Sequence, residues 1–377
     1  MARLSGPEAA TRAMTVLHST EPATVYLSLA ARVDGLTVDD VDRALYDERS
    51  LVKQLAMRRT LFVFPRDLLP AAWGSASVRV ARQLGARLAK EVEVAGHAED
   101  GAAWLERARA GVVEALAGGG GLTAEEVRER VPMLAAKLEL AQGTPYAATV
   151  YLAPRVLTQL AVEGRVVRGV NAGHWRLSKP RWTLTEDWLG DVPAPLEPEE
   201  GYAELVRRWL TTFGPGTETD LVWWLGSTKS AVRRALADVE AVEVTLDGGA
   251  TGWVLPDDPA LDAAEPDTGP WAALLPVLDP TVMGWKERGF YLGEHGRQLF
   301  DSNGNAGTTA WWDGRVVGCW VQDQAGVVEV RLLESLPPAA KAALATEAER
   351  LTAWLGGTRV STVYPSVAMK AVDWNQP

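Results

Sequence analysis

One helix-opening pattern of polar and apolar positions occurs three times along the 377 residues. In each copy a threonine able to accept from a backbone N–H is followed three residues later by an acid that falls in the first helical turn. The pairs are Thr37 with Asp40, Thr123 with Glu126 and Thr217 with Asp220. Behind each pair come a short helical stretch, a turn, a second apolar-periodic segment and a β-branched run, an order that predicts helix, helix and wing. The first copy places these pieces at 38–46, 50–56 and 60–64. The second places them at 124–130, 151–163, 165–170 and 174–177, the last two strands meeting across Asn171-Ala172-Gly173. The third places them at 218–225, 229–239, 242–246 and 252–255, around Asp247-Gly248-Gly249. Successive threonines lie 86 and 94 residues apart. That period is far too long for a solenoid and suits three tandem winged-helix domains.

Helices at 76–94 and 101–117 bridge the first two copies, and the glycine run 118–121 reads as a flexible linker. Beyond residue 270 the pattern turns to β, with strands at 271–278, 308–312, 315–321 and 327–333. Asp313-Gly314 between two apolar runs is a hairpin signal, because that turn wants positive φ at both central positions. A helix at 338–355 and a last strand at 359–364 close the chain. The expected fold class is α+β. It comprises three tandem winged-helix domains, at 1–117 with the bridging helices, 118–190 and 199–256, followed by a small antiparallel β-barrel with one helix at 271–377.

Apolar residues make up 47% of the chain and charged residues 23%, so a packed core is available throughout. No stretch reaches the roughly 18 uninterrupted apolar residues of a membrane span. Glu8 stands where a signal peptide would be apolar, so the expected compartment is the cytoplasm and no membrane partner is expected. Cys319 is the only cysteine, which excludes an intrachain disulfide and a thiolate metal cage. The net charge of −11 argues at first against a nucleic-acid partner. The acids, however, are concentrated. Glu186, Asp187, Asp191, Glu197, Glu199 and Glu200 lie in one Pro-containing connection, and Asp257, Asp258, Asp262, Glu265 and Asp267 lie in another. Outside those two stretches positive and negative side chains balance, and local basic clusters are free to face a polyanion.

Such clusters exist. Arg155, Arg165, Arg168, Arg176, Lys179 and Arg181 ride on the second helix and wing of the middle copy, with Glu163 as the one acid among them. Lys229, Arg233 and Arg234 begin the corresponding helix of the third copy, and Arg58 with Arg59 begins the first wing. Six phosphate contacts would give a log–log salt slope of roughly −5. A solvated helix face carrying ordinary cations is the competing reading. Asn303 and Asn305, in the polar turn 301–305, are candidates for a base edge or phosphate, although Asn-Gly forms turns unaided. Most of the 16 tryptophans are expected to fill cores, with base stacking open to a minority. No phosphate-cradling glycine loop and no nucleophile elbow is present, and His18, His97, His174 and His295 fall at no metal-ligand spacing.

The run His18-Ser-Thr-Glu-Pro-Ala-Thr-Val-Tyr-Leu27, then Gly35-Leu-Thr, Arg49-Ser-Leu-Val and Met57-Arg-Arg-Thr-Leu, resembles the winged-helix DNA glycosylases typified by AlkZ and YcaQ (AlkX). Pro154-Arg-Val-Leu157, the stretch 214–226, Leu275 to Asp279 and Asp313-Gly-Arg-Val-Val-Gly318 extend the resemblance along nearly the whole chain. It implies three winged-helix units with a terminal barrel, receipt of double-stranded DNA, and excision of bulky or crosslinked N7-alkylated purines without a cofactor. A monomer suffices for such a body. In that family a Gln-x-Gln or Gln-x-Asp motif holds the attacking water. Here the matching place reads His18-Ser19-Thr20, with His18 able to hold the water or act as base and Thr20 able to supply a hydroxyl. The same three residues also suit a structural role, with Thr20 or Ser19 capping the helix that starts near Pro22. A DNA-binding lesion sensor or regulator that has lost the chemistry is the alternative function, and a protein-interaction module is a third.

Overall fold

The computed structural model describes residues 3–140, 142, 143, 147–261, 269–371 and 374. Asp262, Glu265 and Asp267 of the second acidic connection therefore lie outside the described residues. The chain forms two compact units, one of Met1–Val41, Val206–Trp224 and Leu236–Pro377, the other of Asp42–Leu205 and Leu225–Ala235.

All three threonine–acid pairs form the caps that their spacing predicts. The Thr37, Thr123 and Thr217 hydroxyls accept from the backbone N–H of Asp40, Glu126 and Asp220, each at 3.2 Å. The acids return the bond to the threonine N–H at 2.9, 2.7 and 3.0 Å. Each reciprocal pair satisfies two donors that the helix cannot, which is worth about 1 kcal/mol per cap. The third cap does more, because buried Asp220 also accepts from the N–H groups of Lys286 and Glu287.

In the second unit the helices Val78–Val94, Gly101–Leu116 and Leu152–Val162 bury Leu88, Val92, Trp104, Leu105, Val112, Val156 and Leu160 around one core. Gly101 is required there, since a Cβ would stand 2.0 Å from the Ala89 carbonyl oxygen. The glycine run is exposed at Gly118, Gly119 and Gly120 and tied down at its end, where Leu122 exchanges two backbone bonds with Trp182 and a Cβ on Gly121 would meet Thr183 at 2.7 Å.

The expected helix at 50–56 is instead a strand. Leu51–Leu55 pairs antiparallel with Leu61–Pro65, from Leu51 opposite Pro65 to Leu55 opposite Leu61. Leu-Val-Lys-Gln-Leu is a short, largely buried run, for which helical and strand periodicity cannot be told apart. Gln54 decides its place: its amide donates to Leu55, Ala161 and Ser77, and its oxygen accepts from the Trp73 indole at 3.0 Å. Met57 to Thr60 closes the hairpin with a bond from the Thr60 N–H to the Met57 oxygen, and both central residues, Arg58 and Arg59, have positive φ.

In the middle copy Val166–Asn171 pairs not with 174–177 but with Pro180–Leu184. Asn171 explains the shift. Its side chain donates to the carbonyls of Gly173 and Leu177 and accepts from the Lys179 N–H, which folds 172–179 into a loop instead of a tight turn. Val242–Thr245 and Thr251–Val254 form the third hairpin as expected. A further hairpin, Lys137–Leu140 with Ala148–Tyr151, was not expected.

The C-terminal region holds an open sheet, not a barrel. Its antiparallel order is Ala272–Leu275, Thr309–Trp312, Arg315–Gln322 and Val328–Leu332, with Pro338–Leu355 packed against it. Asp313 and Gly314 make the hairpin turn at φ 48° and 80°. Among the described residues no strand closes the sheet, because the expected one at 359–364 spends backbone donors on side chains. Val360 donates to Gln322, Val363 to Glu21 and Tyr364 to Thr362.

Candidate active site and nucleic-acid interface

His18 ends the two-residue strand Leu17–His18, and the helix Pro22–Ala30 begins four residues later. The turn before the strand is fixed by Thr15, at φ 62°, whose hydroxyl donates to the Arg208 carbonyl at 2.9 Å and meets the Thr212 hydroxyl at 2.8 Å. His18 is 4% exposed and Ser19 2%, while the Thr20 side chain lies at the surface. Neither Ser19 nor Thr20 caps the helix. Its N-cap is Glu21, which makes no side-chain cap bond, and Pro22 occupies the first turn, where its missing N–H costs nothing.

The Glu21 carboxylate is committed elsewhere. One oxygen accepts from the Thr362 hydroxyl at 2.8 Å and the Val363 N–H at 2.6 Å. The other oxygen is buried with no hydrogen-bond partner among the described residues, as is the Ser19 hydroxyl. Burial pushes the Glu21 carboxyl above its ordinary value, and the bonds from Val363 and Thr362 only partly oppose this. Glu21 also borders a cavity of about 90 Å³ with Thr24, Leu27, Trp320 and Met369.

The far end of the same helix is clamped. Arg32, 1% exposed, makes a bidentate pair with Asp279, 0% exposed, at 2.7 and 2.9 Å. Ser28 donates to the same carboxylate at 2.6 Å, and Asp279 caps Pro280–Met283 through the Thr281 N–H at 2.9 Å. Arg32 further donates to the Ser28 carbonyl and the Thr281 hydroxyl. Sequence reasoning did not single out Arg32, Asp279 or Glu21. The available signal was an arginine within the largely apolar run Val25 to Val33, since a fully buried arginine demands a partner.

The basic residues divide into two kinds. Arg155 is paired with Glu91, and Arg181 with Glu126 and the Gly121 carbonyl, so both serve the fold. Counting Glu163 as the one neighbouring acid therefore overstated the free charge, because Glu91 and Glu126 come in from other helices. Arg165, Arg176 and Lys179 are exposed, as are Arg59, Lys229, Arg233 and Arg234. Arg58 is half-buried against Gly226, whose Cβ would stand 3.0 Å from the Arg58 nitrogen. Arg168 lies over the Trp182 ring at 4.5 Å. Asn305 is held by Asp301 at 2.9 Å, and that carboxylate also accepts from the Asn303 N–H at 2.8 Å, which leaves the Asn303 side chain exposed at the tip. Trp182, Trp188, Trp224 and Trp311 are core residues, and Trp175 sits half-exposed beside His174 on the loop of the second hairpin. Among the described residues no cluster of His, Cys, Asp or Glu could hold a metal ion.

Among solved structures the chain is similar to Streptomyces sahachiroi DNA glycosylase AlkZ, with a TM-score of 0.72 and 22% identity over 95% of this chain and 93% of that one. No curated protein matches it. The model of the family described as DNA glycosylase AlkZ-like matches residues 11–354, which spans the His18 strand, all three capped helices and the sheet. The chain belongs to the AlkZ-like DNA glycosylase family.

Proposed function

We propose that this protein is a monofunctional glycosylase that binds duplex DNA and hydrolyses the N-glycosidic bond of bulky or crosslinked N7-alkylated purines. Family membership over residues 11–354 carries this reading. An N7-alkylated purine is cationic and already a good leaving group. The protein's task is then to hold a water against the sugar carbon and to stabilise oxocarbenium character as the base departs. In the proposed site the Thr20 hydroxyl, at the surface and not engaged as a cap, meets the nucleotide and orients the water. His18 lies beneath the surface and accepts the proton that the water gives up. The capped helices and hairpins at residues 37–65, 123–184 and 217–254 serve as winged-helix units that bring exposed cations to the DNA backbone.

The burial of His18 at 4% exposure favours a second reading, a DNA-binding lesion sensor whose His-Ser-Thr motif does no chemistry. Release of N7-alkylguanine from treated duplex separates the two. The glycosylase reading expects release by the wild type and a loss of at least about 100-fold in His18→Ala, the usual scale for removing a general base. Binding without release in the wild type would leave only the sensor. A salt series tests the interface in the same protein. Arg176→Ala with Lys179→Ala should reduce the log–log slope by about two, whereas Arg155→Ala should lower stability and leave the slope nearly unchanged.

A further inference from the structure

Lys53 and Arg168 come from neighbouring strands of the second unit, Leu51–Leu55 and Val166–Asn171. The Lys53 ammonium donates to the Tyr46 hydroxyl at 2.7 Å and sits 5.1 Å from that ring's centroid. The Arg168 guanidinium lies over the ring of Trp182, its cross-strand partner, at 4.5 Å from the centroid, and its Nε is buried with no acceptor among the described residues. Neither cation is salt-bridged to a carboxylate among the described residues, in contrast to Arg155 and Arg181 in the same unit. Both residues are half-buried.

Burial dominates the electrostatics of both groups. Burial, then the Arg168 charge, push Lys53 down to about 8, with Asp42 partly opposing; burial pushes Arg168 down to about 10. Asp42, Arg168 and the Tyr46 hydroxyl are thus the polar groups acting on Lys53. Asp42 offsets only part of this and Arg168 has no carboxylate partner among the described residues, so an anion shared by the two cations would be stabilising. A guanidinium over an indole can offer N–H groups to two oxygens, and an ammonium from the neighbouring strand adds a point charge, a donor set that fits phosphate.

We propose that Lys53 and Arg168 seat one phosphate group of the DNA backbone. This deepens the duplex-binding reading above and rests on it: exposed Arg165, Arg176 and Lys179 in the same unit suit a polyanion rather than an isolated small anion.

Two arms test it on the full chain. In the first, side-chain NMR of isotopically labelled lysine follows the Lys53 titration with and without inorganic phosphate, which should move the midpoint upward from about 8. In the second, binding of undamaged duplex is measured against salt. Lys53→Met keeps the apolar stem and should lower the slope by about 0.9, whereas Lys53→Arg should restore it. The proposal is overturned if phosphate leaves the Lys53 midpoint in place, or if Lys53→Met binds duplex with the wild-type slope. Should Lys53→Met fail to fold, the titration and Lys53→Arg still decide. If the wild type binds no duplex, the DNA reading fails. A phosphate-shifted Lys53 would then assign the seat to a free phosphate compound, which also overturns the proposal.

Discussion

Asp279→Ala should be among the most damaging single substitutions in this protein. It strips a fully buried guanidinium of both bonds to its counter-ion, takes the acceptor from the Ser28 hydroxyl and removes the cap of Pro280–Met283. Breaking a buried ion pair from one side costs about 3–5 kcal/mol, because the surviving charge stays desolvated, and a lost cap adds about 1 kcal/mol. Arg32 would keep only the Ser28 carbonyl and the Thr281 hydroxyl. For a unit in the roughly 150–250-residue class, 4 kcal/mol lowers the melting temperature by about 8–16 °C. Urea and thermal unfolding followed by far-ultraviolet circular dichroism read this. The companion variant Arg32→Met with Asp279→Leu removes both charges and should cost less than Asp279→Ala alone, giving a coupling of at least about 2 kcal/mol in the double-mutant cycle. A loss below about 1.5 kcal/mol in Asp279→Ala, or additive single losses, would refute the view that this pair holds the His18 helix in place.

Two further outcomes follow from the geometry. Arg59→Gly relieves a side chain held at φ 58° in a tight hairpin turn, so it should stabilise the fold by about 1 kcal/mol while weakening duplex binding; unchanged or lower stability in urea would contradict the strain assigned to that turn. Glu21→Gln tests the raised carboxyl. A group whose folded value lies above its unfolded value contributes stability below the unfolded 4.5 and loses it as pH rises through the folded value. The stability of the wild type minus that of Glu21→Gln should therefore fall with rising pH across this window, and a flat or rising difference in pH-dependent urea unfolding would sink the assignment.

What the sequence discloses here is whatever local chemistry decides. The three caps are contained within four residues each, and Asp313-Gly314 needs only its own backbone preference, so both were legible. The first hairpin is not legible because Leu51 to Leu55 is largely buried and shows no strand alternation; what fixes it, Gln54 bonding to Ala161, spans 107 residues. The free charge of the middle copy was overcounted for the same reason, since Arg155 and Glu91 stand 64 residues apart. The barrel failed at its closing strand, whose β-branched run is real but whose donors are claimed by Gln322, Glu21 and Thr362.

The His18-Ser19-Thr20 segment shows how local and distant terms combine in this fold. Its three residues make neither cap that their sequence allows, yet the helix behind them is held at both ends. Glu21 reaches Thr362 and Val363 at its start, and Arg32 reaches Asp279 just past its end, over separations of 341, 342 and 247 residues. Thr15 adds a third anchor to Arg208 and Thr212 in front of the strand. A free nine-residue helix is too short to hold the segment in front of it rigidly. The helix is instead fixed in place by chain segments beyond residue 200.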